Sequence, residues 1–432
     1  MSPTLLGLLT ARRFWPLFWG QFLGALNDNL VKNAVAVLIV FRLGATESAH
    51  ATLVVTAAAG LFILPFFLFS AWAGELADNQ TKSRLIAWVK LAEMPAMALA
   101  ALALGLESQT LMLVVLFLLG LQATFFGPLK YGILPELLAP EELVGGNALV
   151  EGGTFLAILL GSIAGSLLVL RPAGTLWVGV LAVLLAALGW LAVRLVAPTP
   201  APQRPQSLSR DPVGATWALL TEAKSRPGLL PAMLGISWFW LMGATYLTQF
   251  PAFAKATLAV DETVVTLFLT LFSLGIGLGS TLCARALKGQ ASWKPVPWAA
   301  LGMSLFGLDL AWAAGPIGGV GGLAGIGDFL AGAQGWRLSL DLVGLAAMGG
   351  AYTVPLYTFL QLKARPENRA RAIAANNVLN AAFMVVSAAA SAVLLGAGLG
   401  VPGLFLALAA VNLAAAAALA RAKRTDERRA KA

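Results

Sequence analysis

The chain has 432 residues, of which 59% are hydrophobic and 11% are charged, and its mean hydropathy is +0.82. This composition excludes an ordinary soluble protein of this size. The single cysteine excludes an internal disulfide and a cysteine-based metal site, and we expect no cofactor.

Mostly apolar runs of about 20 residues, each long enough to cross roughly 30 Å of hydrocarbon, recur along the chain. About twelve of them fall near residues 14–40, 51–76, 84–105, 110–134, 146–170, 174–197, 229–253, 263–286, 296–314, 338–361, 371–396 and 401–421. The first run is too long and too polar for a cleaved signal peptide. We therefore expect the N-terminus to be retained.

Lysine and arginine concentrate in alternate loops between these runs. If the N-terminus is cytoplasmic, 23 of the 29 basic residues fall in cytoplasmic segments and four fall outside, Arg42 among them. Because short cytoplasmic loops are enriched in Lys and Arg, both termini are predicted to be cytoplasmic. The net charge of +9 then reflects topology and attraction to anionic membrane lipids, so a nucleic acid is not an expected partner.

Two distant stretches of the chain resemble each other. In residues 127–151 and 354–380, a Pro-Leu pair inside an apolar run leads through a short charged loop to Asn-x-Leu-x-Glu or Asn-x-Val-x-Asn. Parallel repeats of this kind build many secondary transporters, whose substrate sites lie near the bilayer midplane. The chain is therefore predicted to be an all-α integral membrane protein with about twelve transmembrane helices in two pseudo-symmetric six-helix bundles.

A long polar stretch marks the boundary between the halves. Residues 198–228 are rich in proline and basic residues and are predicted to form a cytoplasmic linker. Residues 1–197 would form the N-terminal bundle, residues 229–421 the C-terminal bundle, and residues 422–432 a basic cytoplasmic tail. Within the linker, residues 213–224 are expected to form a short helix at the membrane surface.

The loop after the second span, residues 74–84, resembles the signature loop of the major facilitator superfamily, with the fold that this family implies. Gly74 permits close approach of helices. Asp78 can pair with Lys82 or Arg84 and with the N-terminus of a neighbouring helix. These four residues are predicted to gate the transporter, although an ordinary solvated turn explains them too. The loop departs from the family pattern at positions 79 and 81, which are Asn and Thr.

Three further blocks, residues 22–29, 130–165 and 354–377, resemble the bacterial lysophospholipid transporter family. The resemblance implies a carrier that moves lysophosphatidylethanolamine and related single-chain lipids from the outer to the inner leaflet of the inner membrane. There an acyltransferase, which is a possible partner, restores the second chain. This chain has one histidine, predicted to lie outside, so it cannot supply the acyltransferase's His-and-Asp chemistry on the cytoplasmic face. We expect a transporter rather than an enzyme.

Charged residues at membrane depth are functional candidates, because they are costly to bury. The predicted lysophospholipid-binding residues are Asp28, Asn29, Lys32, Lys130, Asn147, Glu151, Asn377 and Asn380. Asp28 is suited to a headgroup ammonium and Lys32 to a phosphate, but at i and i+4 they can also neutralise each other. Lys130 is suited to the phosphate or to snorkelling towards the inner headgroups.

Other intramembrane charges favour structural explanations. Lys90 and Glu93, three residues apart beside Pro95, are expected to neutralise each other. Arg337 lies one turn before Asp341, so these two are expected to pair. Asp309 has no charged neighbour in the sequence.

Two other functions remain open. A proton-coupled exporter of small amphiphilic drugs or metabolites would share the fold and an acid within the membrane. A non-transporting scaffold for an acyltransferase would need only the basic cytoplasmic surface and the tail, and it would tolerate loss of Asp28 and Glu151.

Overall fold

The structure is a computed structural model that describes residues 5–39, 48–201, 209, 211–317 and 322–431. Residue 40, at the end of the first predicted span, lies outside these ranges. So do Arg42, which the sequence places outside the membrane, and residues 202–208 and 210 of the polar linker.

The described residues fold almost entirely into helices. The sixteen α-helices are α1 (Leu5–Thr10), α2 (Trp15–Leu38), α3 (Ser48–Asn79), α4 (Lys82–Gly105), α5 (Gln109–Gly132), α6 (Leu134–Leu137), α7 (Leu143–Val169), α8 (Gly174–Val193), α9 (Pro212–Ser225), α10 (Leu229–Ala252), α11 (Glu262–Leu287), α12 (Val296–Trp312), α13 (Ile326–Ala331), α14 (Ala333–Lys363), α15 (Arg369–Gly396) and α16 (Val401–Lys431). The only β-pairing within the described ranges is an isolated bridge between Val260 and Ala324, which lie outside the helices.

Within the described part of the chain, ten helices are long and apolar enough to cross a membrane, judged by length and composition. Helix α12 is a shorter apolar helix of 17 residues. Helix α2 has 24 residues and carries Asp28 and Lys32. Each of the twelve predicted spans thus corresponds to one helix, eleven of them with at least 20 residues and α12 with 17. This correspondence confirms the all-α membrane fold. The short linker helix expected over residues 213–224 is present as α9.

The two copies of the sequence repeat share a long helix, a 3-10 turn and a second long helix, and the first copy adds the short helix α6 before the turn. Pro128 lies inside α5 and Pro355 inside α14. A 3-10 turn follows each of these helices, at Pro140–Glu142 and at Pro366–Asn368, and leads into the long helices α7 and α15. The internal prolines fit a membrane helix, where neighbouring groups satisfy the freed carbonyls.

The chain forms two compact units by proximity. The first unit comprises residues 1–146, 156–223 and 361–378. In it, α3 packs against α5, α4 packs against α5 and α8, and α2 packs against α8. Its apolar core includes Leu30, Met97, Leu119 and Leu185. Such packing in lipid depends on close fit rather than on exclusion of water.

The second unit comprises residues 147–155, 224–360 and 379–432. Helix α16 packs against α10 and α12. Asn412 of α16 accepts a hydrogen bond from Trp238 Nε1 at 2.7 Å and donates to Ser304 Oγ at 2.9 Å and to Ala300 O at 2.7 Å. Because the Asn412 amide bonds residues of both α10 and α12, it constrains how these helices pack against α16.

The two units group residues by proximity and not by chain segment. Each contains a short stretch of the other half of the sequence, residues 361–378 in the first and 147–155 in the second. The bundle boundaries predicted at residues 197 and 229 therefore stay a prediction.

One ion pair of the second unit differs from the sequence expectation. Arg337 of α14 donates from Nε and an Nη atom to both carboxylate oxygens of Asp309 on α12, at 3.0 and 2.5 Å. This fork-like geometry is the favoured one for an arginine and a carboxylate. Asp341, expected to hold Arg337, is almost fully buried instead, and it interacts with the Asp309 carboxyl group by a side-chain hydrogen bond and more weakly with the charge of Arg337.

Candidate functional site

A cluster of charged side chains lies in the membrane-spanning part of the first unit. Asp28 of α2 lies close enough to Glu93, Lys32, Lys90 and Lys130 for direct charge interaction. Its Oδ1 atom is buried and has no hydrogen-bond partner among the described residues. A buried carboxylate oxygen without a donor is costly, so this atom is suited to receive a cationic or hydrogen-bonding group of a ligand.

Lys32 and Lys130 contact aromatic rings. The Lys32 ammonium lies 4.3 Å from the centre of the Phe62 ring, and the Lys130 ammonium lies 4.8 Å from that of Tyr131. Asp28 and Lys32 are not joined by an ion pair within the described residues. A ring face attracts a cation through its negative potential, so these contacts hold the two ammonium groups beside Asp28.

Lys90 and Glu93 form the most deeply buried ion pair of the first unit. Their side chains are 0% exposed and contact each other directly. Glu93 also accepts hydrogen bonds from Gln122 Nε2 at 3.0 Å and from Asn27 Nδ2 at 3.4 Å, and Asn27 donates to Ala182 O at 2.9 Å. The expected neutralisation is present, and it is part of a hydrogen-bonded network that joins α2, α4, α5 and α8.

Two predicted ligand-binding residues of the first unit have other local contacts. Asn29 Nδ2 donates to Ala25 O of its own helix at 2.7 Å, which uses one of its two amide hydrogens. Asn377 of α15 lies against Gly127 of α5, where an added Cβ would be 2.6 Å from Asn377 Nδ2. The absence of a side chain at Gly127 therefore allows this amide to approach α5.

The remaining predicted ligand-binding residues belong to the second unit. Asn147 Nδ2 donates to Thr358 Oγ1 of α14 at 3.1 Å. One turn later on α7, Glu151 is 0% exposed. Asn380 Oδ1 accepts a hydrogen bond from Ser237 Oγ of α10 at 2.8 Å. The structure thus places Asn147 and Glu151 on one helix and ties Asn380 to α10, while Asp28, Lys32 and Lys130 lie in the first unit.

An aromatic wall adjoins Glu151. Phe155, one turn beyond Glu151 on α7, stacks on Trp240 and contacts Phe239 and Phe272 edge-on or tilted, with ring centres 6.1 to 6.3 Å apart. Trp240 Nε1 donates to Tyr357 Oη at 3.1 Å. The wall, defined as Phe155, Phe239, Trp240 and Phe272, gives the second unit an apolar surface beside a buried acid.

Asp78, at the end of α3, accepts hydrogen bonds from the N-terminus of α15. Its carboxylate oxygens each lie 2.9 Å from one backbone nitrogen, those of Ala370 and Arg371, and the Arg371 Nε atom is 3.4 Å away. A carboxylate at a helix N-terminus satisfies unpaired N–H groups and meets the positive end of the helix dipole. At Gly74, an added Cβ would lie 2.7 Å from Ala374 Cβ and 2.8 Å from Arg371 Cα.

The basic residues of the same loop differ in their contacts. Lys82 pairs with Glu136 of α6 at 2.7 Å rather than with Asp78, to which it adds only electrostatic attraction. Arg84 is exposed and takes part in no ion pair within the described ranges. Among the four residues predicted to gate, Gly74 and Asp78 contact α15, Lys82 contacts α6, and Arg84 faces outwards.

We expect Asp78→Asn to lower the free energy of unfolding by about 1–2 kcal/mol, because one of two charge-assisted bonds to the helix N-terminus is replaced by an opposed amide donor. Transport should fall about tenfold if this contact holds one state of the cycle. Chemical denaturation in detergent micelles and an uptake assay measure the two effects. Asp328→Asn, at an exposed acid in the first turn of α13, is the matched control, and an equal loss in both variants would contradict the account.

The sequence reasoning missed several polar residues that the structure brings together. Asn27 and Gln122 were not singled out, although each is a polar residue inside an apolar run, which is the signal that would have found them. Gln361 donates to Tyr131 O at 3.1 Å and its carbonyl accepts from Arg369 Nε at 2.9 Å. Gln361 lies at the end of α14, so these two bonds join α14 to α5 and to α15, next to the residues of α15 that bind Asp78.

Comparison with known proteins gives three findings. The family profile described as Major Facilitator Superfamily matches residues 17–344. The chain is 26% identical to Lysophospholipid transporter LplT of Enterobacter sp. (strain 638) over 393 residues, covering 89% of each chain. It is also 26% identical to the protein of the same name from Citrobacter koseri over 408 residues, covering 90% of this chain and 92% of that one.

Solved structures show the same fold. The transporter FucP in the outward conformation superposes with a TM-score of 0.72 at 15% identity, over 95% of this chain and 98% of that one. The human organic anion transporter MFSD10 superposes with a TM-score of 0.73 at 17% identity, over 94% and 99%. The two relatives named Lysophospholipid transporter LplT confirm the similarity to this family that the sequence blocks predicted.

Proposed function

Since this chain belongs to the Major Facilitator Superfamily and is a multi-pass membrane transporter rather than an enzyme, we propose that its cargo is a lysophospholipid. It moves lysophosphatidylethanolamine-type lipids from the outer to the inner leaflet of a bacterial inner membrane. Movement occurs by alternating access, in which the two halves expose the substrate site to one side at a time. Similarity to proteins named lysophospholipid transporters over 89% of the chain supports this cargo.

The observation that carries the proposal is the charged cluster around Asp28. Such a lipid presents an anionic phosphodiester and an ammonium, and the cluster offers a carboxylate with an unpartnered buried oxygen and lysines held on ring faces. Asp28 would receive the ammonium, and Lys32 and Lys130 would bind the phosphate. A sugar or another uncharged solute would leave these charges uncompensated.

The second unit supplies groups for the rest of the lipid. Glu151, Asn147 and Asn380 are proposed to contact the polar backbone of the substrate, and the aromatic wall beside Glu151 is proposed to contact the acyl chain. Asn377, whose amide lies against Gly127, is proposed to contact the substrate as well. A groove sized for one chain would reject a diacyl lipid, and such a rejection is worth several kcal/mol when bulk must be excluded.

The cellular setting follows from the same proposal. The termini and the basic tail lie in the cytoplasm, where anionic lipids attract them. Gly74, Asp78, Lys82 and Arg84 form the cytoplasmic gate, with Asp78 on the α15 N-terminus as its central contact. The inward-moved lipid is consumed there by an acyltransferase, which draws transport forward.

Uptake into spheroplasts tests the proposal. Radiolabelled lysophosphatidylethanolamine should enter cells that contain this protein several-fold faster than cells without it, while the diacyl counterpart should not. Uptake that is independent of a well-expressed protein would exclude this cargo. Resistance to amphiphilic drugs that rises with expression and collapses with the proton gradient would instead support the exporter.

A further inference from the structure

An apolar groove runs along the second unit between α12 and α14. Its volume is about 440 Å³, and its lining includes Pro295, Trp298, Gly302, Leu305, Phe306 and Met348. Trp298 and Leu305 are 74% and 57% exposed, so the groove opens at the surface of the unit. It contains none of the proposed substrate-binding residues.

At Gly302 the lack of a side chain lets Met348 of α14 lie directly against α12 within the lining of the groove. An added Cβ at this position would lie 2.7 Å from both Cγ and Sδ of Met348. Along α12, the lining extends from Pro295 to Phe306, which corresponds to about 16 Å at 1.5 Å per residue. That length is about half of the roughly 30 Å hydrocarbon core, so the groove spans one leaflet.

One end of the groove is strongly basic. Lys294 directly precedes Pro295, and Arg285 and Lys288 lie at the end of α11. All three are exposed, and within the described ranges none of them forms an ion pair. No acidic residue occurs from 285 to 294. Trp298, one turn inside α12, has the interfacial position that tryptophan favours in membrane proteins.

We propose that this groove is a binding site for an anionic diacyl glycerophospholipid of the leaflet at the Lys294 end. One acyl chain lies along Gly302 and Met348, and the phosphate lies at Lys294 with Lys288 and Arg285 nearby. We infer this occupant from two features of the groove. Its apolar length, about that of one leaflet, fits one acyl chain, and the basic residues at its end, which form no ion pair within the described ranges, attract a phosphate. The lipid packs α12 against α14 and is not transported, so this inference does not depend on the cargo.

Thermal unfolding of the purified protein in detergent tests the site. Added 1-palmitoyl-2-oleoyl phosphatidylglycerol should raise the unfolding midpoint saturably, since a ligand that binds only the folded state stabilises it. With phosphatidylcholine of the same chains, the lipid concentration that gives half of the stabilisation should be about fivefold higher. This lipid has no net charge, so it loses the net attraction to one or more surface lysines. Lys294→Gln should remove most of this difference between the two lipids.

A second variant tests the chain site separately. Gly302→Leu displaces Met348 from its place against α12 and so distorts the lining of the groove, which should weaken the response to both lipids about fivefold or more. Matched controls are Lys255→Gln, which removes an exposed lysine elsewhere in the unit, and Gly60→Leu, which adds the same side chain where nothing lies within 4 Å. Equal responses of the unmodified protein to both lipids would overturn the proposal. An unchanged lipid preference in Lys294→Gln would also overturn it, even if Gly302→Leu does not fold.

Discussion

Asp28→Asn is expected to reduce transport of lysophosphatidylethanolamine at least about 30-fold. The substituted amide has nearly the same shape but cannot compensate a headgroup ammonium. Truncating one partner of a desolvated charge pair costs about 2 kcal/mol or more, and 1.4 kcal/mol is a factor of ten. The buried Oδ1 of Asp28, which has no hydrogen-bond partner among the described residues, is the structural basis of this expectation.

The same variant discriminates between headgroups. Lysophosphatidylglycerol has no ammonium, so its transport should fall much less in Asp28→Asn, where the lysines around position 28 remain. The comparison requires both lipids in the same vesicles, with Asp328→Asn as the control because Asp328 is an exposed acid in the first turn of α13. Equal losses for the two lipids would contradict contact between Asp28 and the ammonium.

Lys90→Met is expected to lower the free energy of unfolding by about 3–5 kcal/mol. Both Lys90 and Glu93 are 0% exposed, and removal of the lysine would leave an uncompensated carboxylate inside the first unit. Breaking a buried pair on one side is strongly destabilising, whereas replacing both partners with apolar residues is often neutral. The double variant Lys90→Met/Glu93→Leu should therefore recover much of the loss, apart from the bonds that Asn27 and Gln122 make to Glu93.

Chemical denaturation in detergent micelles measures this effect. Lys255→Met is the matched control, since Lys255 is exposed and its removal should change the unfolding free energy by less than about 0.5 kcal/mol. A double variant as unstable as Lys90→Met would show that the pair does more than neutralise charge. An unaffected Lys90→Met would contradict the buried network.

The sequence was sufficient to predict the membrane helices and the repeat. A span is identified from hydropathy averaged over about 20 residues, so one or two polar residues within it do not hide it. Helix α2 shows where the rule weakens, because Asp28 and Lys32 lower its mean hydropathy while it remains 24 residues long. The repeat was read independently of hydropathy, from the equivalent positions of Pro128 in α5 and Pro355 in α14.

Pairing between distant elements was not predictable in the same way. Sequence spacing suggested Arg337 with Asp341, but the structure pairs Arg337 with Asp309. For Asp78 the sequence indicated Lys82, Arg84 or the N-terminus of a neighbouring helix, and only the structure identifies that helix as α15. The i to i+4 rule covers only contacts along one helix, and these partners lie 28 and almost 300 residues away. At the candidate site, the positions of Asp28 and Glu151 inside apolar runs identified them as buried acids. The sequence could not show that the Asn29 side chain donates a hydrogen bond to a carbonyl of its own helix.

Leaflet-resolved transport by the purified protein tests the central claim most directly. Proteoliposomes would be loaded on one leaflet with fluorescent lysophosphatidylethanolamine, and the fraction protected from extraction by albumin would be followed with time. The account predicts protein-dependent movement of the single-chain lipid, no movement of its diacyl counterpart, and loss of movement in Asp28→Asn but not in Asp328→Asn. Equal movement of both lipids, or full activity of Asp28→Asn, would contradict it.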